Sequence, residues 1–218
     1  DHRDLHSFPT RRSSDLKHFI EIVNAADKID SAAYDMEDVM HPRGWTLLGF
    51  ITDSRTGFGR FRIFRISNYD LMMDLIDHCR TKTIDEILVL PDVLERIELY
   101  RQQADPNRRQ IERSSRVEGN VLVTDLRQEE TIYVGNRFLR YALYPETNIS
   151  MQVMWGLNRQ NTVITLGKSI FNKTSQVNIG AIMLEYGGGG HENAGTCQVA
   201  NEKADEIIPA VVEKIREP

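Results

Sequence analysis

Four consecutive glycines, Gly187 to Gly190, interrupt the stretch EYGGGGHENAGTCQV near the carboxyl end of the chain. Glycine loses more conformational freedom on folding than any other residue, so a run of four is costly to order. One glycine is enough to end a helix. The others leave bare backbone, whose N–H groups can point into a common concavity and bind an anion such as phosphate. The alternative is a loop of small residues that allows close packing, in which His191 is structural.

Composition sets only broad limits on the function. The 218 residues suit one large domain or two small ones, and 40% hydrophobic residues are enough for a sizeable core. The net charge of −5 argues against broad nonspecific binding of nucleic acid, although it allows a local basic site. The two cysteines, Cys79 and Cys197, match no metal-ligand spacing, which favours a reduced cytoplasmic setting. No apolar run is long enough to cross a membrane.

The pattern changes near residue 117, from helical periodicity to alternating strands and helices. Before that point we expect a helix capped by Asn68, and a long charged helix that begins at Pro91 and breaks at Asp105–Asn107. After it, the segments NVLVTDL, TIYVG, NISMQVMWGL, NTVITLG and AGTCQVA predict strands. The second half is therefore predicted to be a compact α/β domain.

The stretch GGGGHENAG resembles the GGGH-x-x-A-x-G signature of the substrate-binding domain in DHH-family phosphoesterases. The stretches TGFGRFRIFRISNYDLMMDLIDHC, GNRFLRYAL and GKSIFN together resemble most the exopolyphosphatase-like subgroup. The resemblance implies a mixed-sheet α/β domain over residues 116–218. It also implies that residues 17–115 are the end of a DHH catalytic domain followed by a helical linker. Residues 1–16 include HSFPTRRSSDL, which resembles a translated sequencing adapter, and we exclude them from fold reasoning.

The resemblance also assigns substrate-binding residues. The backbone amides around residues 188–191 would form an electropositive cup for a substrate phosphate, and the stretch TLGKS replaces the family's basic strand end. Lysine is a point charge without the fork of arginine, so we expect phosphate contact there rather than bidentate recognition. The residues assigned in this way are Gly188, Gly189, Gly190, His191, Lys168 and Ser169.

Members of the family hold two metal ions, usually manganese, and hydrolyse phosphate esters by metal-assisted attack of water. Aligned on IDSAAY, Asp30 takes a metal-ligand position, and Asp27 is the second choice. Mn²⁺ is the implied cofactor, with Mg²⁺ as a substitute. Neither Asp-x-Asp nor Asp-His-His occurs in the 218 residues, so we expect the chain to be a carboxyl-terminal fragment with little or no hydrolase activity.

The stretch DSRTGFGRFRIFR interleaves arginines with phenylalanines. Arg60 and Arg62 could line a channel for a polyanion, with phenyl rings available for stacking. Alternatively, the phenylalanines pack inward and the arginines remain solvated. Two functions follow from these features. One is part of a phosphoesterase acting on polyphosphate or short oligonucleotides; the other is a non-catalytic module that binds phosphate or nucleic acid.

Overall fold

The computed structural model describes residues 13–61 and 63–216. Helices dominate up to residue 114, after which strands and helices alternate. The helices are α1 Ser13–Asp30, α2 Met36–Met40, α3 Gly44–Thr52, α4 Asn68–Thr81, α5 Ile84–Leu88, α6 Pro91–Ser114, α7 Leu139–Leu143, α8 Ile179–Glu185 and α9 Asn201–Ile215. The strands are β1 Ser115–Glu118, β2 Val121–Asp125, β3 Ile149–Trp155, β4 Thr162–Lys168, β5 Gly189–His191 and β6 Ala194–Val199.

The strands of the described residues form one mixed sheet in the order β1-β2-β3-β4-β6-β5. Strands β2 and β3 are parallel, and the other neighbours are antiparallel. The parallel step is made by a long connection that contains α7, whereas short hairpins join β3 to β4 and β5 to β6. A mixed-sheet α/β arrangement after a helical region is thus confirmed.

The sheet has two chemically different faces because successive side chains point to opposite sides. On one face Val121, Met151 and Ile164 are fully buried, in a core that α8 and α9 complete. Val211 and Ile215 supply the α9 side of this core, as the helical periodicity of the sequence requires. The opposite face carries polar residues and glycines and borders a cavity.

The helical region has its own core, and α7 connects it to the sheet. Helices α3 to α6 surround Leu47, Ile87 and Ile97, which are buried. A third cluster joins Tyr34 and Phe50 to aromatic residues of α7 and the turn before it, and the Tyr34 and Phe50 rings meet edge to face at 5.0 Å. The short helix α7 is therefore held from both sides.

The segment TIYVG does not form the expected strand. Residues 131–135 do not pair with the sheet, since side chains of α6 bind their backbone instead. Gln110 donates to the Thr131 carbonyl at 2.7 Å and accepts from the Tyr133 N–H at 3.1 Å. Gln103 accepts from the Val134 N–H at 2.7 Å. Propensity predicted a strand, and these side-chain partners took the place of a neighbouring strand.

Two helix predictions are also wrong in detail. Helix α6 runs through Pro106 without ending, because residues such as Ile97 before the proline and Ile111 after it are buried and fix both halves. The residue that caps α4 is Ser67 rather than Asn68; its side chain accepts from the Asp70 N–H at 3.1 Å.

Both cysteines are free thiols. None of the helices within the described residues has the length and apolarity needed to cross a bilayer.

Candidate substrate-binding site

A cavity of about 620 Å³ lies between the open face of the sheet and the turns that precede α7 and follow α3. Four arginines line it, and none of the lining residues that the structure describes is Asp or Glu. The arginines are Arg55, Arg60, Arg137 and Arg140. For a chain of net charge −5, such a concentration of positive charge favours an anionic ligand.

The floor of the cavity is a single row of residues that runs across the sheet. Strand register places Thr124 beside Gln152, Gln152 beside Thr165, and Thr165 beside Thr196. The row ends at Gly189, which pairs with Thr196. Neighbouring strands are about 4.8 Å apart, so hydroxyl and amide groups recur at this interval along the floor. The floor is therefore a neutral hydrogen-bonding surface, and at Gly189 it ends in backbone without a side chain.

The first glycines of the run end α8. The Gly187 and Gly188 N–H groups donate to the Leu184 and Met183 carbonyls at 3.1 and 2.9 Å, which is the Schellman arrangement, and Gly187 has a φ of 73°. The Gly188 amide is therefore already bonded, and the expected cup of free amides over residues 188–191 is wrong at this position. The reason is that this N–H lies within reach of the unpaired carbonyls at the helix end.

The next glycines form a hairpin with β6. A side chain at Gly190 would place its Cβ 2.3 Å from the Ala194 oxygen and 2.4 Å from the Gly195 Cα. A Cβ at Gly189 would meet no protein atom within 4 Å, and this residue lines the cavity. Gly190 therefore permits close packing of backbone, as the second interpretation expects, and Gly189 leaves backbone open to the cavity, where anion binding stays a prediction.

Asp53 holds two of the arginines at the cavity. Arg55 donates to it from Nε at 2.8 Å and from Nη2 at 2.9 Å, and Arg137 donates to it at 3.3 Å. Burial alone would raise the pKa of Asp53, but its hydrogen bonds and the charges of both arginines outweigh burial and lower it. Arg137 also stacks on the Phe138 ring, 4.0 Å from its centroid. Sequence reasoning missed Asp53 and Arg137.

Arg60 reaches the cavity because Gly57, three residues earlier in the chain, has no side chain. It donates to the Tyr133 carbonyl at 3.3 Å, and a Cβ at Gly57 would lie 2.1 Å from its Nη2. The phenylalanines of this stretch turn away: Phe58 is buried in the helical core, and its ring lies 5.9 Å from that of Phe64. The structure therefore combines parts of both interpretations. The rings pack inward, whereas Arg55 and Arg60 line the cavity. Arg62 lies outside the described residues.

Arg140 is the arginine whose contacts differ most from those of the others. Its Nη2 donates to the Gln152 Oε1, and its buried Nε has no hydrogen-bond partner among the described residues. Burial lowers the pKa of its guanidinium, so its charge is costly to hold without a compensating group. Its neighbour Tyr141 is buried, and the tyrosine hydroxyl lies 2.8 Å from the Ser150 Oγ. The sequence signal that sequence reasoning did not use is the pair of arginines three residues apart in NRFLRYAL.

A solved structure that is similar to this chain shows its family. No family model and no curated protein matches the chain. Among solved structures, it is similar to a pGpG-specific phosphodiesterase, PggH, from Vibrio cholerae, with 53% identity over 90% of this chain and 66% of that chain, and with a TM-score of 0.82. This match to a phosphodiesterase agrees with the GGGH signature, which resembles that of DHH-family phosphoesterases. The chain belongs to the DHH family of phosphoesterases.

Two further structures are more distant. An exopolyphosphatase-related protein from Bacteroides fragilis has 18% identity and a TM-score of 0.43, over 68% of this chain and 43% of that chain. The DHH domain of a member of a family of ribosomal proteins has 14% identity and a TM-score of 0.49, over 93% of this chain and 50% of that chain. The chain thus spans between 43% and 66% of the length of these proteins.

Three residues that the resemblance assigns to substrate do not line the cavity: His191 at the end of β5, and Lys168 and Ser169 at the end of β4. His191 is exposed, and its Nδ1 accepts from the Asn193 N–H at 3.2 Å. Lys168 lies 3.5 Å from the Glu192 carboxylate. Ser169 is buried, and its Oγ accepts from the N–H groups of residues 171 and 172, which fixes the following turn. Their contact with substrate stays a prediction.

The described residues do not fit the two-metal centre of the DHH family. Within 13–61 and 63–216, no three His, Cys, Asp or Glu side chains are grouped so that they could hold a metal ion. Asp30 is the last residue of α1 and is exposed. A manganese ion prefers several oxygen or imidazole ligands, so Asp30 alone cannot form the site. Its role as a metal ligand stays a prediction.

Proposed function

We propose that the chain is the substrate-binding part of a DHH-family phosphodiesterase that acts on a short oligonucleotide. The observation that carries this proposal is the set of four arginines around a cavity without acidic lining residues. Guanidinium groups match phosphate oxygens in geometry and charge. Arg55, Arg60 and Arg137 lie towards the turns, where they would hold the phosphates of the ligand.

The lining favours an oligonucleotide over inorganic polyphosphate. Besides the arginines, the walls carry Leu126, Ile132 and Met154, with Tyr133 beside them. Apolar and aromatic groups offer nothing to a chain made of phosphate alone, but they suit the faces of a base. The relative in Vibrio cholerae, described as specific for the dinucleotide pGpG, supports the same choice. We therefore take a guanine dinucleotide as the first ligand to test.

Hydrolysis is the part of the proposal that requires groups beyond the described residues. Since these residues contain no cluster of metal ligands, we propose that the 218-residue chain binds its ligand and cleaves it slowly or not at all. The same observation supports the second candidate function, a phosphate- or nucleic-acid-binding module without catalysis. Robust Mn²⁺-dependent release of GMP from pGpG by the purified chain would contradict both the slow-cleavage proposal and the binding-module alternative.

Binding is tested by isothermal titration calorimetry of pGpG into the 218-residue chain in EDTA. We expect Arg60→Gln to weaken binding by about tenfold at low salt and to reduce the slope of log K against log salt by about one. Arg108→Gln is the matched control, since Arg108 is an exposed residue of α6 that pairs with Glu112 at 3.1 Å, away from the cavity. Equal affinities for the Arg60 variant and the unaltered chain would overturn the phosphate assignment.

A further inference from the structure

The polar groups where Arg140 meets the sheet form a set different from the arginines near the turns. Arg140 has no carboxylate partner among the described residues, whereas Arg55 and Arg137 share Asp53. Arg140 contacts the amide of Gln152, whose neighbours across the sheet are Thr124 and Thr165, and Tyr141 follows Arg140 in the chain. A guanidinium fork beside neutral hydrogen-bonding groups can donate two parallel hydrogen bonds to the acceptor edge of a base, and a phosphate contact at Arg140 is the competing outcome.

The contact between Arg140 and Gln152 fixes the orientation of both side chains. A guanidinium only donates, so the glutamine must turn its Oε1 towards Arg140, as the structure has it. The amide position is further defined because Gln152 sits in the central strand β3, between Thr124 and Thr165. This arrangement leaves the Arg140 Nε without a hydrogen-bond partner among the described residues, although that atom is buried.

We propose that Arg140, oriented by Gln152, donates to O6 and N7 of a guanine base and makes the cavity select guanine over adenine. This inference rests on the proposed function. Guanine presents two acceptors on this edge, whereas adenine presents N7 and an N6 amino donor. With adenine in the same place, an N–H of Arg140 would face the N6 amino group. Two donors would then oppose each other, and neither would have an acceptor. Gln152 is a positioning residue, because its oxygen is already occupied by Arg140.

The experiment compares pGpG with pApA by calorimetry on the 218-residue chain in EDTA. The unaltered chain is expected to prefer pGpG by about tenfold or more. Arg140→Lys keeps the charge and removes the fork, so we expect the preference to disappear, mainly through weaker pGpG binding. If Arg140→Lys weakens both ligands equally, Arg140 is a phosphate contact and the proposal fails. If the unaltered chain binds neither dinucleotide, the proposed function itself fails.

Two further probes separate recognition from folding. A dinucleotide of 7-deazaguanine lacks the N7 acceptor, so it should bind the unaltered chain about tenfold more weakly than pGpG and bind Arg140→Lys no differently from pGpG. Gln152→Met removes the acceptor for Arg140 and should reduce the guanine preference. Gln152→Glu restores an acceptor and should retain that preference, although its added charge weakens both ligands. Equal preferences in the two Gln152 variants would overturn the positioning role.

Discussion

The two walls of the cavity are built in different ways. The sheet wall is neutral, and strand pairing fixes it: the row from Thr124 to Gly189 follows from register alone. The opposite wall carries arginines on turns and on the short helix α7, and side-chain hydrogen bonds fix it. A backbone ladder tolerates most side-chain changes, whereas a wall held by side chains depends on each of them. The predictions below test this difference.

The largest effect is expected where the sheet wall depends on a missing side chain. Gly190→Ala would force a Cβ to within 2.3 Å of a backbone oxygen and 2.4 Å of a Cα, neither of which can move without opening the hairpin. Overpacking of this kind costs about 2 to 3 kcal/mol of unfolding free energy. Urea denaturation followed by circular dichroism measures it.

Gly59→Ala is the matched control for that change. A Cβ at Gly59 would meet no protein atom within 4 Å, so we expect a change of less than about 0.5 kcal/mol. Equal stability of the two variants would mean that the hairpin accommodates a side chain at Gly190, and that its backbone is less rigid than the rest of the sheet wall.

The same difference explains what could be predicted from sequence. Alternation in NISMQVMWGL predicted β3 because Ile149, Met151 and Val153 share one buried face. The glycine run was expected to end α8, and it does, but the pairing of Gly189–His191 with β6 was not predicted, and the Schellman cap uses the Gly188 amide that was assigned to substrate. Sheet positions follow from periodicity, which is a local property of the chain.

The wall opposite the sheet, which carries the four arginines and is called the arginine wall, could not be predicted from local sequence patterns. Arg140 enters the cavity because α7 is held between the aromatic cluster and the sheet, and both contacts join residues far apart in sequence. Likewise, the segment TIYVG was expected to be a strand because its β-branched and aromatic residues favour one, while Gln110 and Gln103 of α6 bind its backbone instead. Charge in a sequence shows that a basic site is possible but not which side chains converge.

An intermediate effect is expected where α6 anchors the arginine wall. Glu129 accepts from Arg113 at 2.9 Å and from Gln110 at 2.7 Å, and Gln110 in turn holds Thr131 and Tyr133 at the cavity. The hydrogen bonds from Arg113, and then those from Gln110 and Ser114, lower the pKa of Glu129 to about 2. Because Glu129 is partly exposed, solvent weakens these hydrogen bonds. Glu129→Gln should therefore lower the unfolding free energy by about 1 kcal/mol at pH 7.

The pH dependence of that cost has a defined sign. The carboxylate is stabilised in the folded state, so its contribution is complete above the unfolded pKa of 4.5 and is lost as the pH falls towards about 2. The difference in unfolding free energy between the unaltered chain and Glu129→Gln should therefore be smaller at pH 3 than at pH 7, as urea titrations at both values would measure. A difference that grows on acidification would mean that Glu129 is not held as an anion.

The smallest effect is expected at Gly189, where the sheet wall needs bare backbone for the ligand and not for the fold. Because a Cβ here would meet no protein atom, Gly189→Ala should leave the unfolding free energy unchanged within about 0.5 kcal/mol. The added methyl enters the cavity and should weaken pGpG binding by a factor of about three to ten, equally at low and high salt, since no charge is involved. Calorimetry at two salt concentrations separates this from the loss of an arginine. Unchanged affinity would place the ligand away from β5 and confine recognition to the arginines and the threonine row.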